Sequence, residues 1–226
     1  MNWVNNYDLF LFDCDGLLVD TESIHFQAYI NMAARRGVQV GWTFPEFLSY
    51  AHRGSDHLEN GFKENFPSLT EQDPWPVLYA EKKKAYLDLL GRAKIDLLPG
   101  VYALIDAVDK AGKKSVVVTN SPKEQMDFIK ERHPILKKIP HWVTRENYTL
   151  QKPNPECYLR AIELYGDKGD KIIGFEDSVR GFMALSKTPA LPVLVCSEEY
   201  PLLNCIADPI HFERMDLIPE MGPINR

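Results

Sequence analysis

The sequence predicts an α/β fold: a parallel sheet with right-handed crossovers, interrupted once by an inserted helical domain. Three observations predict it. Short runs apolar on both faces recur along the chain, as buried parallel strands require. Stretches with helical periodicity separate them. After the first strand, residues 21–95 read as mostly helical, breaking the alternation.

The elements follow in order. Leu9-Phe10-Leu11-Phe12 is the first strand and ends at Asp13-Cys14-Asp15-Gly16, where Gly16 allows a sharp turn. Phe26, Tyr29, Ile30 and Ala33 match the i, i+3, i+4, i+7 spacing of a helix that Gly37 ends. Residues 40–95 read as mostly helical and charged, with Pro74 and Pro76 suited to a first turn and no strand alternation from Glu81 to Leu90. Leu98-Pro99-Gly100 is a turn, Val101, Leu104, Ile105 and Val108 form a helical stripe, and Gly112 stops it. Val116-Val117-Val118 is a β-branched strand ending at Thr119-Asn120-Ser121. A helix over about 122–132 and a short strand at Trp142-Val143-Thr144 come next. Asn154 as N-cap and Pro155 at the first position open a helix lined by Tyr158, Ala161, Ile162 and Tyr165. The run Lys171 to Phe175 is a strand leading into Glu176-Asp177-Ser178, a helix follows to about Lys187, and Pro192 to Cys196 is the last strand. The expected division is a catalytic core of 1–20 and 96–226, with 21–95 as the insert. The last twenty residues carry no readable signal.

Composition narrows the function classes. The 226 residues are 45% hydrophobic and 26% charged, which suits a soluble globular enzyme. A net charge of −6 gives no electrostatic reason to expect nucleic acid. An anionic substrate would need local donors or a metal. The four cysteines Cys14, Cys157, Cys196 and Cys205 form no C-x-x-C pair, which points to reduced thiols rather than a zinc or redox site. The start of the chain lacks a signal-peptide pattern and no apolar run reaches membrane-spanning length, so a cytoplasmic protein is expected, and a monomer.

The chemistry collects at strand ends. The first strand delivers Asp13 and Asp15, the second Thr119, Asn120 and Ser121, and the Lys171 strand Glu176 and Asp177. In open α/β sheets ligands bind outside those ends. Four carboxylates in one place repel one another unless a cation joins them. An oxygen-only donor set suits Mg²⁺, which keeps water or phosphate among its ligands and so favours phosphoryl transfer.

At these residues the chain resembles the haloacid dehalogenase superfamily. Asp13-Cys-Asp15-Gly-Leu-Leu-Val-Asp20 matches its D-x-D-G-x-x-x-D signature, and Thr119-Asn-Ser, Lys152-Pro-Asn-Pro155 and Gly174-Phe-Glu-Asp177-Ser match its other three motifs in order. The insert resembles the small cap of subfamily I, which includes phosphoglycolate phosphatase-like and β-phosphoglucomutase-like enzymes. The resemblance implies a Rossmann-like core with an α-helical cap domain. It implies Asp13 as nucleophile and Asp15 as general acid and base. Thr119 and Asn120 would hold the phosphoryl group and Lys152 would neutralise its charge. Mg²⁺ would lie among Asp13, the Asp15 carbonyl, Asp177 and Glu176. His25 and Arg53 in the insert fall where related enzymes place substrate-facing residues.

Each motif also has a plainer reading. Asp13 and Asp15 could be turn residues, Thr119 to Pro122 a helix cap, Lys152 a solvated loop lysine, and Glu176 to Ser178 a helix start. Asp20 suits a hinge or cap of the first inserted helix. Lys82-Lys83-Lys84 reads as an exposed face, His25 and Arg53 as surface residues, and Trp42, Phe44 and Phe47 as core of the insert. The expected function is a Mg²⁺-dependent phosphatase acting on a small phosphorylated metabolite. A β-phosphoglucomutase-like sugar phosphate mutase is the alternative, and a binding protein on a retired hydrolase fold is a third reading.

Overall fold

The computed structural model describes residues 1–218; the last eight positions of the unreadable tail, 219–226, lie outside the described residues. The chain divides into two compact units, one of residues 1–20 with the chain from 96 onward and one of residues 21–95.

The first unit is built on a six-stranded sheet. Its strands are β1 (Leu9–Phe12), β2 (Lys114–Val118), β3 (His141–Val143), β4 (Ile172–Glu176), β5 (Leu191–Val195) and β6 (Ile210–Phe212). The order is β3-β2-β1-β4-β5-β6 and every pairing is parallel. β1 lies between β2 and β4, so successive crossovers leave it in opposite directions. That is the topological switch point where ligand crevices open beyond the strand ends.

The four central strands β2, β1, β4 and β5 are buried on both faces apart from Lys114 at the start of β2, which explains their apolar runs. Along β1 the side chains alternate. Leu9 and Leu11 join Val116, Val118 and Val143 in a core with Cys157, Tyr158 and Ala161 of α8 (Glu156–Tyr165) and Ala184 and Leu185 of α9 (Val179–Leu185). Phe10 and Phe12 turn to the opposite face, where Phe12 stacks on Phe175 with centroids 5.4 Å apart. Gly174 permits the close approach of α9, since a Cβ there would lie 2.6 Å from the Leu185 methyls. Two further helices belong to this unit, α6 (Val101–Lys110) and α7 (Lys123–Arg132). Val101, Leu104, Ile105 and Val108 are all buried, as their spacing predicts. Gly112 follows α6 with φ 65°, a conformation that favours glycine.

Three sequence expectations need correction here. Pro192 to Cys196 is not the last strand, because β6 pairs with β5 beyond it. β6 is a three-residue, half-buried edge strand, too short to show a period. Helix α8 begins one residue later than expected: Pro155 is its N-cap, while Asn154 accepts from the Glu156 N–H at 3.0 Å. Asp20 does not occupy the cap of the first inserted helix; Thr21 holds that position.

The second unit is wholly helical among its described elements: α1 (Glu22–Arg35), α2 (Phe44–Ala51), α3 (Ser55–Asn65), α4 (Pro67–Thr70) and α5 (Trp75–Arg92). α1 ends in a left-handed Gly37 (φ 71°), with the Val38 N–H bonded back to the Ala33 carbonyl. Arg36 at this end forks onto Glu81 at 2.7 and 2.9 Å and reaches Asp73 at 2.7 Å, tying α1 to α5. α2 opens with a capping box between Thr43 and Glu46. Pro74 is the N-cap of α5 and Pro76 lies in its first turn. The core is aromatic: Tyr29, Phe47 and Phe62 are buried, with Phe26, Trp42 and Trp75 packed against them. Phe44 is 37% exposed and sits at the edge of this cluster.

The lysine run is a further correction. Lys83 and Lys84 are exposed, but Lys82 is buried at 4%. The helical period turns it inward, with its ammonium 4.8 Å from the Tyr29 ring centroid and 5.0 Å from that of Tyr86. Aromatic faces and the His25 Nδ1 at 2.7 Å replace part of its hydration.

Candidate active site

The site is assembled at the C-terminal ends of β1, β2 and β4. Asp13 directly follows β1, and its N–H donates to the Phe175 carbonyl at 3.0 Å, extending the β1–β4 ladder by one residue. Its position is therefore set by sheet register, and the residue is only 8% exposed. Gly16, with φ 78°, turns the chain immediately after Asp15.

Lys152 arrives from the loop before α8. Glu156 in the first turn of α8 accepts the Thr149 and Leu150 N–H groups at 2.8 and 2.7 Å, which folds the loop back over the helix start. The Lys152–Pro153 peptide is cis. The ammonium then makes three bonds: to Asp13 Oδ1 at 2.6 Å, to Glu176 Oε1 at 2.7 Å and to the Val118 carbonyl at 2.8 Å. An ammonium has three protons, so this geometry satisfies it fully. Its surroundings rule out the solvated loop lysine that sequence alone also allowed.

Electrostatics follow from burial. Desolvation pulls the Lys152 ammonium toward neutrality, but Asp13 and Glu176 outweigh it and hold its pKa well above the ordinary value. Burial pushes the Glu176 carboxyl up to about 7, against the pull of Lys152. The Tyr158 hydroxyl donates to the same Glu176 oxygen. Cys14, enclosed between the two aspartates, has its thiol pushed well up by burial and by Asp15 and Asp13.

Asp177, buried to 7%, follows β4, and Ser178 caps α9 by accepting the Gly181 N–H at 3.2 Å. A carboxylate oxygen from each of Asp13, Glu176 and Asp177 lies within 4.8 Å of the others. These three acids carry three formal negative charges, and Lys152 compensates one. The donors are all hard oxygens, so the set fits a hard divalent cation. Glu176 already has one oxygen engaged by Lys152 and Tyr158, which leaves Asp13 and Asp177 better placed as direct ligands.

Asp15 is held from the β2 side. Ser121 Oγ donates to its Oδ2 at 2.6 Å, with Thr119 Oγ1 at 3.5 Å from the same oxygen. Gln125 Nε2 on α7 reaches Oδ1 at 3.3 Å. Thr119 is buried and its Oγ1 accepts the Ser121 N–H at 3.0 Å. Asn120 Oδ1 meets the Tyr148 hydroxyl at 2.7 Å. Thus Asp13, Asp15, Thr119, Asn120, Lys152, Glu176 and Asp177 come together in the first unit. His25 and Arg53 belong to the second. His25 stacks on Tyr86 with centroids 4.0 Å apart, and Arg53 is exposed.

Sequence reasoning passed over Gln125, Tyr148 and Tyr158, and treated Ser121 only as part of a motif. Gln125 had a faint signal, since it stands four residues after Ser121 at the start of a helix. The tyrosines had none, because aromatic residues on a helix or loop read as core.

The profile of the haloacid dehalogenase-like hydrolases matches residues 7–187. The chain belongs to this family. It is 27% identical over 197 residues to the protein CbbY of Rhodobacter capsulatus, covering 84% of this chain and 85% of that one. It is 28% identical over 182 residues to the phosphorylated carbohydrates phosphatase of Thermotoga maritima, covering 77% and 78%. In fold it is similar to a haloacid dehalogenase family IA, variant 3 hydrolase of Entamoeba histolytica, with a TM-score of 0.73, 21% identity and coverage of 94% and 95%. The α/β, Rossmann-like reading of the core and the expectation of a hydrolase therefore both hold. No described helix is long and apolar enough to cross a membrane.

Proposed function

We propose that this hydrolase is a Mg²⁺-dependent phosphatase that cleaves a small phosphorylated metabolite through an aspartyl-phosphate on Asp13. The observation that carries this reading is the Lys152 ammonium bridging Asp13 and Glu176, with Asp177 completing an oxygen set for a cation. A carboxylate beside a fixed ammonium and a divalent cation is screened enough to approach an anionic phosphate.

In the first step an Asp13 oxygen forms a bond to phosphorus while the ester P–O bond breaks. Asp15 gives its proton to the departing alkoxide. In the second step Asp15 takes a proton from water as the water oxygen bonds to phosphorus. The bond from phosphorus to Asp13 then breaks, and inorganic phosphate and the free carboxylate are regenerated. Thr119 and Asn120 position the phosphoryl oxygens, and Lys152 keeps Asp13 aimed. Mg²⁺, held by Asp13, Asp177, the Asp15 carbonyl and Glu176, would neutralise charge on the transferring group. The helical unit of 21–95 serves as the cap, with His25 and Arg53 contributing to substrate choice. Relatives include a phosphatase of phosphorylated carbohydrates, which supports a sugar-phosphate-like substrate.

The test is phosphate release from a panel of phosphate esters, with Mg²⁺ and with chelator, for wild type and Asp13→Asn. Turnover that needs Mg²⁺ and disappears in Asp13→Asn is expected. Interconversion of sugar 1- and 6-phosphates without net phosphate release would replace the phosphatase reading with the mutase. No reaction with any ester would sink both.

A further inference from the structure

We infer that Gln125 is a positioning residue for Asp15, acting with Ser121 as a hydrogen-bonded clamp on both oxygens of its carboxylate. This rests on the acid–base role proposed for Asp15. The geometry is a closed ring. The Gln125 amide donates to Asp15 Oδ1 at 3.3 Å and to Ser121 Oγ at 3.1 Å, and Ser121 Oγ donates to Asp15 Oδ2 at 2.6 Å. An amide NH₂ has two protons and a hydroxyl has one, so these three bonds have donors enough and their directions are consistent. Each contact constrains a different oxygen, so together they oppose rotation about the carboxylate bond.

The placement has a structural cause. Ser121 lies two residues ahead of α7 and Gln125 within its first turn, so the i, i+4 relation puts both polar groups on one side. Gln125 is only 5% exposed, which is unusual for a glutamine. A buried amide is retained where its donors are used. Here they reach the Asp15 carboxylate and the Ser121 hydroxyl that also holds it. An acid–base group must sit within hydrogen-bond reach of both the leaving oxygen and the incoming water, and misplacement by about 1 Å can cost on the order of 100-fold.

The test uses Gln125→Met, which keeps the side-chain length and removes the donors, with p-nitrophenyl phosphate as substrate in stopped flow. The nitrophenolate departs with little need for an acid, so formation of the phospho-enzyme should proceed at the wild-type rate. Its hydrolysis needs the base and should slow. The expected result is a kcat reduced by about 10- to 100-fold, a KM that falls with it so that kcat/KM stays within about twofold of wild type, and a pre-steady-state burst at the wild-type rate. For a hexose phosphate, whose alkoxide needs the acid, both steps should slow. Unchanged kcat, a rise in KM alone, or equal slowing of both steps with the aryl ester would each overturn the assignment. Ser121→Ala breaks the same ring from the other side and should reproduce the pattern if Gln125→Met fails to fold. If wild type itself hydrolyses no ester, the proposed function has failed, and the clamp is judged by crystallography. An unmoved Asp15 carboxylate in either variant overturns it, and a rotated one supports it.

Discussion

At the scale of single residues, the most consequential group is Lys152. Its ammonium bridges two buried acids at once and compensates one of their charges. Lys152→Met should leave Asp13 and Glu176 facing each other without compensation. Breaking a buried pair in this way typically costs about 3–5 kcal/mol, because the stranded charge stays desolvated. Denaturant unfolding should show a loss of that order, alongside lost turnover. A loss below about 1 kcal/mol would mean that water or proton uptake compensates the site instead. The lysine was legible in sequence only because Lys152-Pro153-Asn154-Pro155 completed a motif set. Lys82 was misread for the converse reason. In a run of three lysines, the burial of one depends on which side of the helix meets the Tyr29 and Tyr86 rings, and composition carries no such direction.

At the scale of elements, two glycines permit close packing, one of them against the site. Gly181 in α9 lies against Glu176: a Cβ there would sit 1.9 Å from Oε2. The carboxylate cannot swing aside cheaply, since Lys152 and Tyr158 pin its other oxygen. Gly181→Ala should therefore destabilise the fold by about 1–3 kcal/mol, the usual range for overpacking, and lower kcat as well. A thermal shift assay paired with steady-state rates would check this, and an unchanged melting temperature would contradict it. Gly100 opens α6 with φ 86°, and a Cβ on it would lie 2.2 Å from the Asp216 backbone nitrogen. Gly100→Ala combines left-handed strain with a backbone clash and should cost more than about 1 kcal/mol in denaturant titration. Sequence reading placed this turn correctly but had no access to the segment packed against it. The same limit applied to β6, which acquires its identity from pairing with β5 rather than from its own pattern.

At the scale of the whole molecule, the acid cluster predicts a link between stability and metal. Asp13, Glu176 and Asp177 repel one another in the folded chain and lie far apart in the unfolded one. Mg²⁺ should then bind the native state preferentially. At about 100 times its dissociation constant it should add roughly 2.7 kcal/mol to the unfolding free energy. Asp177→Asn should abolish most of that gain while leaving the metal-free protein as stable or more so. A Mg²⁺ titration followed by thermal unfolding reads both effects, and an equal shift in wild type and variant would remove Asp177 from the ligand set. By itself, the sequence determined the alternation of strands and helices, the helical interruption after β1, and the residue types at the strand ends. These are local properties, set by periodicity, glycine placement and motif spacing. Only the tertiary structure decided that Lys152 bridges Asp13 and Glu176, that Ser121 and Gln125 grip Asp15, and that Lys82 turns inward. Those facts depend on which side chains distant segments bring within hydrogen-bond reach, and sheet register and helix packing set that distance.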